Sequence, residues 1–230
     1  MKIQILHLLE GAKQAEGLTV IIDVFRAFSA ECYMYGQNAR KVILAGEVDE
    51  AFRLAEEIPD SVLAGERNGI KIEGFRFGNS PSEIVRHDLS GLNVIHTTSA
   101  GVQGVVAASG ADEIITGALV NAEAAARYIR SRDPAVVSLV CMGWNAKKDT
   151  EEDVLCAEYI RSMLEGNPIP DIAQQALDLR FTEGKKFFDP TQKNVFPEED
   201  FWLCTKPDIF DHVIRIIPKE GRLETEWISV

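Results

Sequence analysis

Short, almost wholly apolar runs alternate with helical segments through residues 1–165. LTVIIDV (18–24) is brief and rich in β-branched residues, which predicts a buried strand. A helix over Ser29 to Asn38 follows it. KVILAG (41–46), SVLAGE (61–66), LNVIHTT (92–98), IITGA (114–118) and AVVSLVCMG (135–143) continue the strand series. Helical spacing predicts a helix at Val48 to Ile58, where Ala51, Leu54, Ala55 and Ile58 share one face. Further helices are expected at Val102 to Ala108, Ala122 to Arg130 and Glu152 to Leu164. Near-continuous hydrophobic strands separated by helices imply an α/β fold, with a mainly parallel sheet covered on both faces.

The C-terminal third breaks this rhythm. A helix at Ile172 to Leu179 leads into a charged, aromatic stretch. DFWLCTK (200–206), HVIRIIP (212–218) and RLETEWISV (222–230) then read as strands, the last two joined by the turn-like Lys219-Glu220-Gly221. Such close spacing predicts antiparallel C-terminal additions to the sheet. No repeat, low-complexity segment or long linker interrupts the chain, so residues 1–230 are expected to form a single domain.

Composition changes this picture little. The chain of 230 residues is 46% hydrophobic and 26% charged, a globular balance that excludes disordered and collagenous classes. No apolar run reaches the roughly 18 to 20 residues a bilayer requires. The opening MKIQILHLLEGAKQAEG lacks a secretory pattern, so a cytoplasmic location is the expectation. Charge narrows the partners. Lys plus Arg is 24 and Asp plus Glu 36, a net −12 spread along the chain. That field repels nucleic acid and anionic membranes, although local cations or a bound metal can reverse it inside one cleft. Cys32, Cys141, Cys156 and Cys204 form no CxxC pair, and His7, His87, His96 and His212 are scattered. Neither a zinc cluster nor a disulfide framework is indicated.

Open α/β sheets bind ligands beyond the carboxyl ends of their strands. The residues there are polar: Asp23 and Arg26; Glu66, Arg67 and Asn68; Thr97, Thr98, Ser99 and Gly101; Asn121; then Asn145, Glu151, Glu152 and Asp153. The three acids also suit a helix start. Asp23 is harder to explain structurally, because a carboxylate after five apolar residues must find a partner or a metal. In GERNGIKIEGFRFGNSPSEI (65–84), glycines recur among Arg67, Lys71 and Arg76, allowing close backbone approach to an anion. Ser80-Pro81-Ser82-Glu83 reads as a helix start, with Ser80 as N-cap and Glu83 closing a capping box. Such an N-terminus is an anion site in its own right. The turn His96 to Gly101 is either a second phosphate cradle or an ordinary helix start capped by Ser99. GxGxxG after a strand, the P-loop and GxSxG are all absent. Cys156 reads as core, and Cys141 as an outside candidate for a nucleophile.

Taken in order, IIDVFRAFSA (21–30), GERNGIKIEGFRFGNSP (65–81), HTTSAG (96–101), GALVNA (117–122), EEDVLCAEYI (151–160) and DFWLCTKPDIFDHV (200–213) resemble the 2-phosphosulfolactate phosphatase family, known as ComB. The resemblance implies a three-layer α/β/α sandwich. It also implies Mg²⁺-dependent hydrolysis of 2-phospho-3-sulfolactate to 3-sulfolactate and phosphate, a step in coenzyme M biosynthesis. Family members usually carry Asn where this chain has Ala100, and a Gly-containing loop where it reads CMGWNAKKDT (141–150).

The resulting expectation is a Mg²⁺-dependent phosphatase acting on a small anionic phosphomonoester. Asp23, Glu66 and Asp153, with Glu152 in reserve, would hold the metal. Arg26, Arg67 and Lys71 would offset the substrate's charge, and Asn79, Ser80, Thr97, Thr98, Ser99 and Asn121 would bind its oxygens. A second reading is a non-catalytic module that senses a phosphorylated or sulfonated metabolite in the same crevice. A third assigns the acidic shell and aromatic C-terminal strands to a subunit interface, in the simplest case a homodimer.

Overall fold

The computed structural model describes residues 1–230. It opens with β1 (Lys2–His7), α1 (Leu8–Lys13), β2 (Gly17–Ile22), α2 (Ala27–Gly36), β3 (Lys41–Leu44) and α3 (Val48–Glu57). Next come β4 (Ser61–Arg67), β5 (Ile70–Lys71), α4 (Pro81–Ile84), β6 (Asn93–Thr97), α5 (Gly101–Ala107) and β7 (Ala111–Gly117). The chain closes with α6 (Ala122–Arg132), β8 (Val136–Cys141), α7 (Glu151–Leu164), α8 (Ile172–Asp178), α9 (Glu198–Cys204), β9 (His212–Lys219) and β10 (Arg222–Ser229).

Successive side chains on a strand point to opposite faces, and here both faces are covered. On β3, Val42 and Leu44 enter a core of 54 buried residues, whereas Ile43 enters a separate core of 6. On β6, Val94 and Ile95 divide in the same way. The smaller core is closed by Ala51 and Leu54 of α3, three residues apart on one helical face. This two-sided burial produces the unbroken apolar strands of the sequence, and it makes the molecule a three-layer α/β/α sandwich.

The ten strands lie in the order β1-β8-β2-β7-β9-β10-β3-β6-β4-β5. β1, β8, β2 and β7 are mutually parallel, as are β3, β6 and β4. Between these groups sits the β9–β10 hairpin, antiparallel to β7 on one side and β3 on the other. Its turn pairs Lys219 with Arg222 around Glu220 and Gly221, both at positive φ (51° and 76°). Two such residues match the right-handed twist of the flanking strands.

α9 and β1 differ from expectation, and α1 and β5 are likewise not predicted by the apolar pattern. DFWLCTK is no strand; its residues Asp200 to Cys204 belong to α9, and Thr205 and Lys206 follow the helix. Three acids, Glu198, Glu199 and Asp200, fill the first turn of α9, where the helix dipole favours them. Phe201 and Cys204, three residues apart, are its buried apolar contacts. The aromatic content that suggests a strand here serves instead to pack a helix. The apolar pattern does not predict β1. It is an edge strand, only partly buried along its length, so its pattern is weak.

Gly65 approaches its neighbour strand closely. At φ 153°, a Cβ placed on it would lie 2.2 Å from the Thr97 carbonyl oxygen. Gly65→Ala is therefore expected to destabilise the protein by about 1–3 kcal/mol, read from urea unfolding.

Candidate active site

Four carboxylates fix the loops that form the site, each by accepting hydrogen bonds. Asp23 follows β2, and its two oxygens accept from the main-chain N–H groups of Ala27 (3.1 Å) and Gly101 (3.0 Å). Glu66, at the end of β4, accepts from Ser99 N–H and Gly69 N–H, both at 2.6 Å, and from the Ser99 hydroxyl at 3.1 Å. Asp153, in the first turn of α7, accepts from Val24 N–H and Gly143 N–H, both at 2.8 Å. Asp200 accepts from Ser82 N–H (2.9 Å) and the Ser80 hydroxyl (2.8 Å), and forms a 2.7 Å ion pair with Arg26.

These bonds alter the expected roles of several residues. Both backbone anion cradles are occupied by the protein's own acids: Asp200 at the start of α4, and Asp23 with Glu66 at the turn before α5. Ser80 does cap Glu83 N–H, as expected. The Glu83 carboxylate, however, accepts from Gly78 N–H, so the capping box is only half formed. Ser99 is not the cap of α5. Ala100 occupies that position without a side-chain bond, and the Thr98 hydroxyl accepts from Val102 N–H instead.

Asp23, Arg26, Glu66, Asn79 and Ser99 line one small hollow of about 30 Å³, together with Ala100, Phe25, Trp144 and Phe196. Arg26, Gly69 and Asn79 also line an adjoining cavity of about 420 Å³, with Lys71, Ser80, Arg86 and His87. The hollow has room for an ion or a phosphoryl oxygen, and the cavity for the body of a small ligand. Three Arg26 N–H donors are committed, to Asp200 and to the carbonyls of Val195 and Gly69, which fixes the guanidinium plane between the two spaces.

The remaining expected residues lie outside both spaces. Arg67 donates to the Thr97 hydroxyl (3.0 Å) and to the carbonyls of Glu66 and Gly46, so it braces β4 against β6 rather than facing a ligand. Thr97 and Thr98 are fully buried. The Asn121 side chain accepts from Ala118 N–H at 3.0 Å and thereby closes its own turn. Asp153 and Glu152 line neither space; Asp153 is tied to the hollow only through its bond from the N–H of Gly143, a residue of the wall. Cys141 is fully buried, and burial pushes its thiol far above the usual range, which argues against a nucleophile.

Electrostatic stress is concentrated among the acids. Burial, with a smaller contribution from Glu66, pushes Asp23 up to about 6 despite its two main-chain donors. Burial, then Glu152 and Asp23, raises Asp153 well above the carboxylate range. Glu152 is pushed up to about 7 by burial, with Lys186 opposing. Metal-holding capacity can be judged from this donor set. No three Asp, Glu, His or Cys side chains converge as a metal cluster, so the set of Asp23, Glu66, Asp153 and Glu152 is not a cage. Two carboxylates, Asp23 and Glu66, do share the hollow. A pair of buried anions without a bonded cation suits a hard divalent ion that keeps several waters, as Mg²⁺ does.

Some residues at the site were not legible beforehand. The Lys186 ammonium lies 4.7 Å from the ring centre of Trp144, 5.4 Å from that of Phe196 and 5.6 Å from that of Phe25, three rings of the hollow's wall. Burial lowers its pKa. The charged, aromatic character of residues 180–200 was the only signal for it. Asp200 was hidden in the misread strand.

A sequence model described as 2-phosphosulpholactate phosphatase matches residues 4–218. The chain is 34% identical over 236 aligned positions to a probable 2-phosphosulfolactate phosphatase of Carboxydothermus hydrogenoformans, covering 98% of each. It is 33% identical over 223 positions to a protein of that name from Clostridium perfringens, covering 90% of this chain and 88% of the relative. A Bacillus subtilis protein, again a probable 2-phosphosulfolactate phosphatase, is 29% identical over 211 positions and 90% of each chain.

Two outcomes are expected from this geometry. Arg26 and Asp200 are 4% and 0% exposed at the side chain, so Asp200→Ala strands a buried cation. The loss should be about 3–5 kcal/mol in denaturant unfolding. Glu152 titrates higher in the folded chain than unfolded, so the stability it contributes is full below its ordinary 4.5 and lost as pH rises through about 7. Glu152→Gln should consequently stabilise the metal-free protein at pH 8 and leave it nearly unchanged at pH 4, measured by the same unfolding assay.

Proposed function

The chain belongs to the 2-phosphosulpholactate phosphatase family, and from that premise we propose that it hydrolyses a small anionic phosphomonoester with the help of Mg²⁺. The names of its relatives make 2-phospho-3-sulfolactate the substrate to test first. On this reading the products are 3-sulfolactate and phosphate, and the step serves coenzyme M biosynthesis in the cytoplasm. No helix is long and apolar enough to cross a membrane.

The observation that carries the reading is the meeting of Asp23, Glu66, Arg26 and Asn79 on a hollow that adjoins a polar cavity. Asp23 and Glu66 are the residues that would hold the cation. When bound, Mg²⁺ supplies charge to the phosphoryl oxygens and makes a water molecule more acidic. Arg26 is held flat by three bonds and presents its remaining donors to the phosphoryl group. Asn79 donates to a second oxygen, and the substrate's acidic body occupies the larger cavity beside Lys71 and Ser80. Lys186, packed against the aromatic wall, adds positive charge near the site.

Water is the attacking group. The Ser80 hydroxyl is engaged by Asp200 and by Glu83 N–H, and Cys141 is sealed in the core, so neither serves as nucleophile. One water forms the new P–O bond, the ester P–O bond breaks, and the leaving oxygen takes a proton to become the alcohol. Phosphoryl transfer of this kind depends on positioning and charge rather than on a covalent intermediate.

Phosphate release from a panel of small phosphomonoesters, 2-phospho-3-sulfolactate included, tests the proposal with and without MgCl₂. Turnover should require the metal, and Asp23→Ala should lower kcat/KM by about 100-fold or more. Metal-independent turnover, or an unaffected variant, contradicts the mechanism. Phosphate binding with no turnover of any ester supports a sensor instead.

A further inference from the structure

A chain of three buried polar side chains ends at the wall of the site. Glu31 on α2 and His96 on β6 are both fully buried, and His96 Nδ1 lies 2.7 Å from Glu31 Oε1. On the other side of the ring, His96 Nε2 lies 2.9 Å from Asn79 Oδ1. Asn79 is nine-tenths or more buried and lines both the hollow and the larger cavity. Neither Glu31 nor His96 touches those spaces.

The amide oxygen of Asn79 carries no hydrogen, so the 2.9 Å contact requires His96 Nε2 to donate. The opposite end of the carboxamide, its NH₂ group, then turns away from the ring; it makes no hydrogen bond within the protein, and Asn79 lines both cavities, which are the space open to it. An asparagine left free could rotate about its last bond and present its carbonyl oxygen there, which would repel an anion. A protonated Nε2 blocks that rotation. For Nε2 to keep its proton while Nδ1 meets a carboxyl group, the Glu31–His96 pair must share a second proton, and complete burial of both groups favours this neutral pairing over a lone charge.

Resting on the phosphatase reading for the identity of the anion, we infer that Glu31 and His96 are positioning residues that lock the Asn79 carboxamide with its NH₂ group toward the phosphoryl-binding space. Neither residue contacts substrate. Their effect is to make Asn79 a fixed donor, ready before the anion arrives, as outer partners do for the ligands of metal centres.

Nitrogen-15 NMR of histidine-labelled protein, with the His96 signals assigned by their absence in His96→Gln, reads the proton directly. Nε2 should be protonated at neutral pH; an unprotonated Nε2 overturns the inference. The second arm is a double-mutant cycle on affinity for inorganic phosphate in the presence of MgCl₂. His96→Leu should weaken phosphate binding about 10- to 100-fold when Asn79 is present. In an Asn79→Ala background the same change should matter by no more than about twofold. Equal losses in both backgrounds indicate a merely structural role and overturn the inference, as does wild-type protein that binds no phosphate. His96→Gln, which keeps an amide donor near the Nε2 position, should retain most of the affinity. If His96→Leu does not fold, the NMR measurement and His96→Gln decide the matter. Failure of the ester panel with an intact cycle would remove the phosphatase reading and leave the positioning of Asn79 in place.

Discussion

Carboxylates that accept main-chain N–H bonds hold the site together. Asp153 joins the loops after β2 and β8, Asp23 joins the start of α2 to the start of α5, and Glu66 joins its own turn to the loop after β6. Asp200 brings α9 onto α4 and Arg26. Burying an anion is costly, and bonds from N–H donors offset part of that cost. The offset is incomplete, as the elevated titration of Asp23, Glu152 and Asp153 shows. On the proposed reading, a divalent cation held by Asp23 and Glu66 would supply the missing compensation at the hollow.

This arrangement also decides how an anionic ligand can be recognised. Backbone N–H groups at helix starts, the common means of holding phosphate, are here consumed by the protein's own acids. On the proposed reading, recognition falls to side chains: a guanidinium held rigid by Asp200, a carboxamide bonded to His96, and the cations around the larger cavity. Several of those cations are already balanced. Lys71 faces Glu83, and Arg86 faces Glu199. Positive charge at the site is therefore local and directional within a chain whose overall charge is −12.

The sequence disclosed the layers of the fold because strands covered on both faces leave an unmistakable apolar record. It disclosed less where one face is open, as in β1, or where aromatic residues serve a helix, as in α9. Asp23 was recognisable from its setting, a carboxylate ending an apolar strand. Arg67, Thr97, Thr98 and Asn121 looked equivalent to their neighbours because composition near a strand end does not say which way a side chain turns. All four spend their polar atoms on the scaffold. The pairing of His96 with Glu31 is not legible for another reason: the two are 65 positions apart, and only the packing of α2 against the sheet gives the pair meaning.

The place of the β9–β10 hairpin bears on the order in which the molecule can be assembled. β9 and β10 follow both parallel groups in the sequence yet occupy the middle of the sheet, between two groups that have no direct pairing with each other. A nascent chain can build each group separately, but the two halves become one sheet only after the segment through Ser229 has left the ribosome. Until then the inner edges of β7 and β3 stay open, exposing ladders of unpaired backbone groups to any other extended chain nearby.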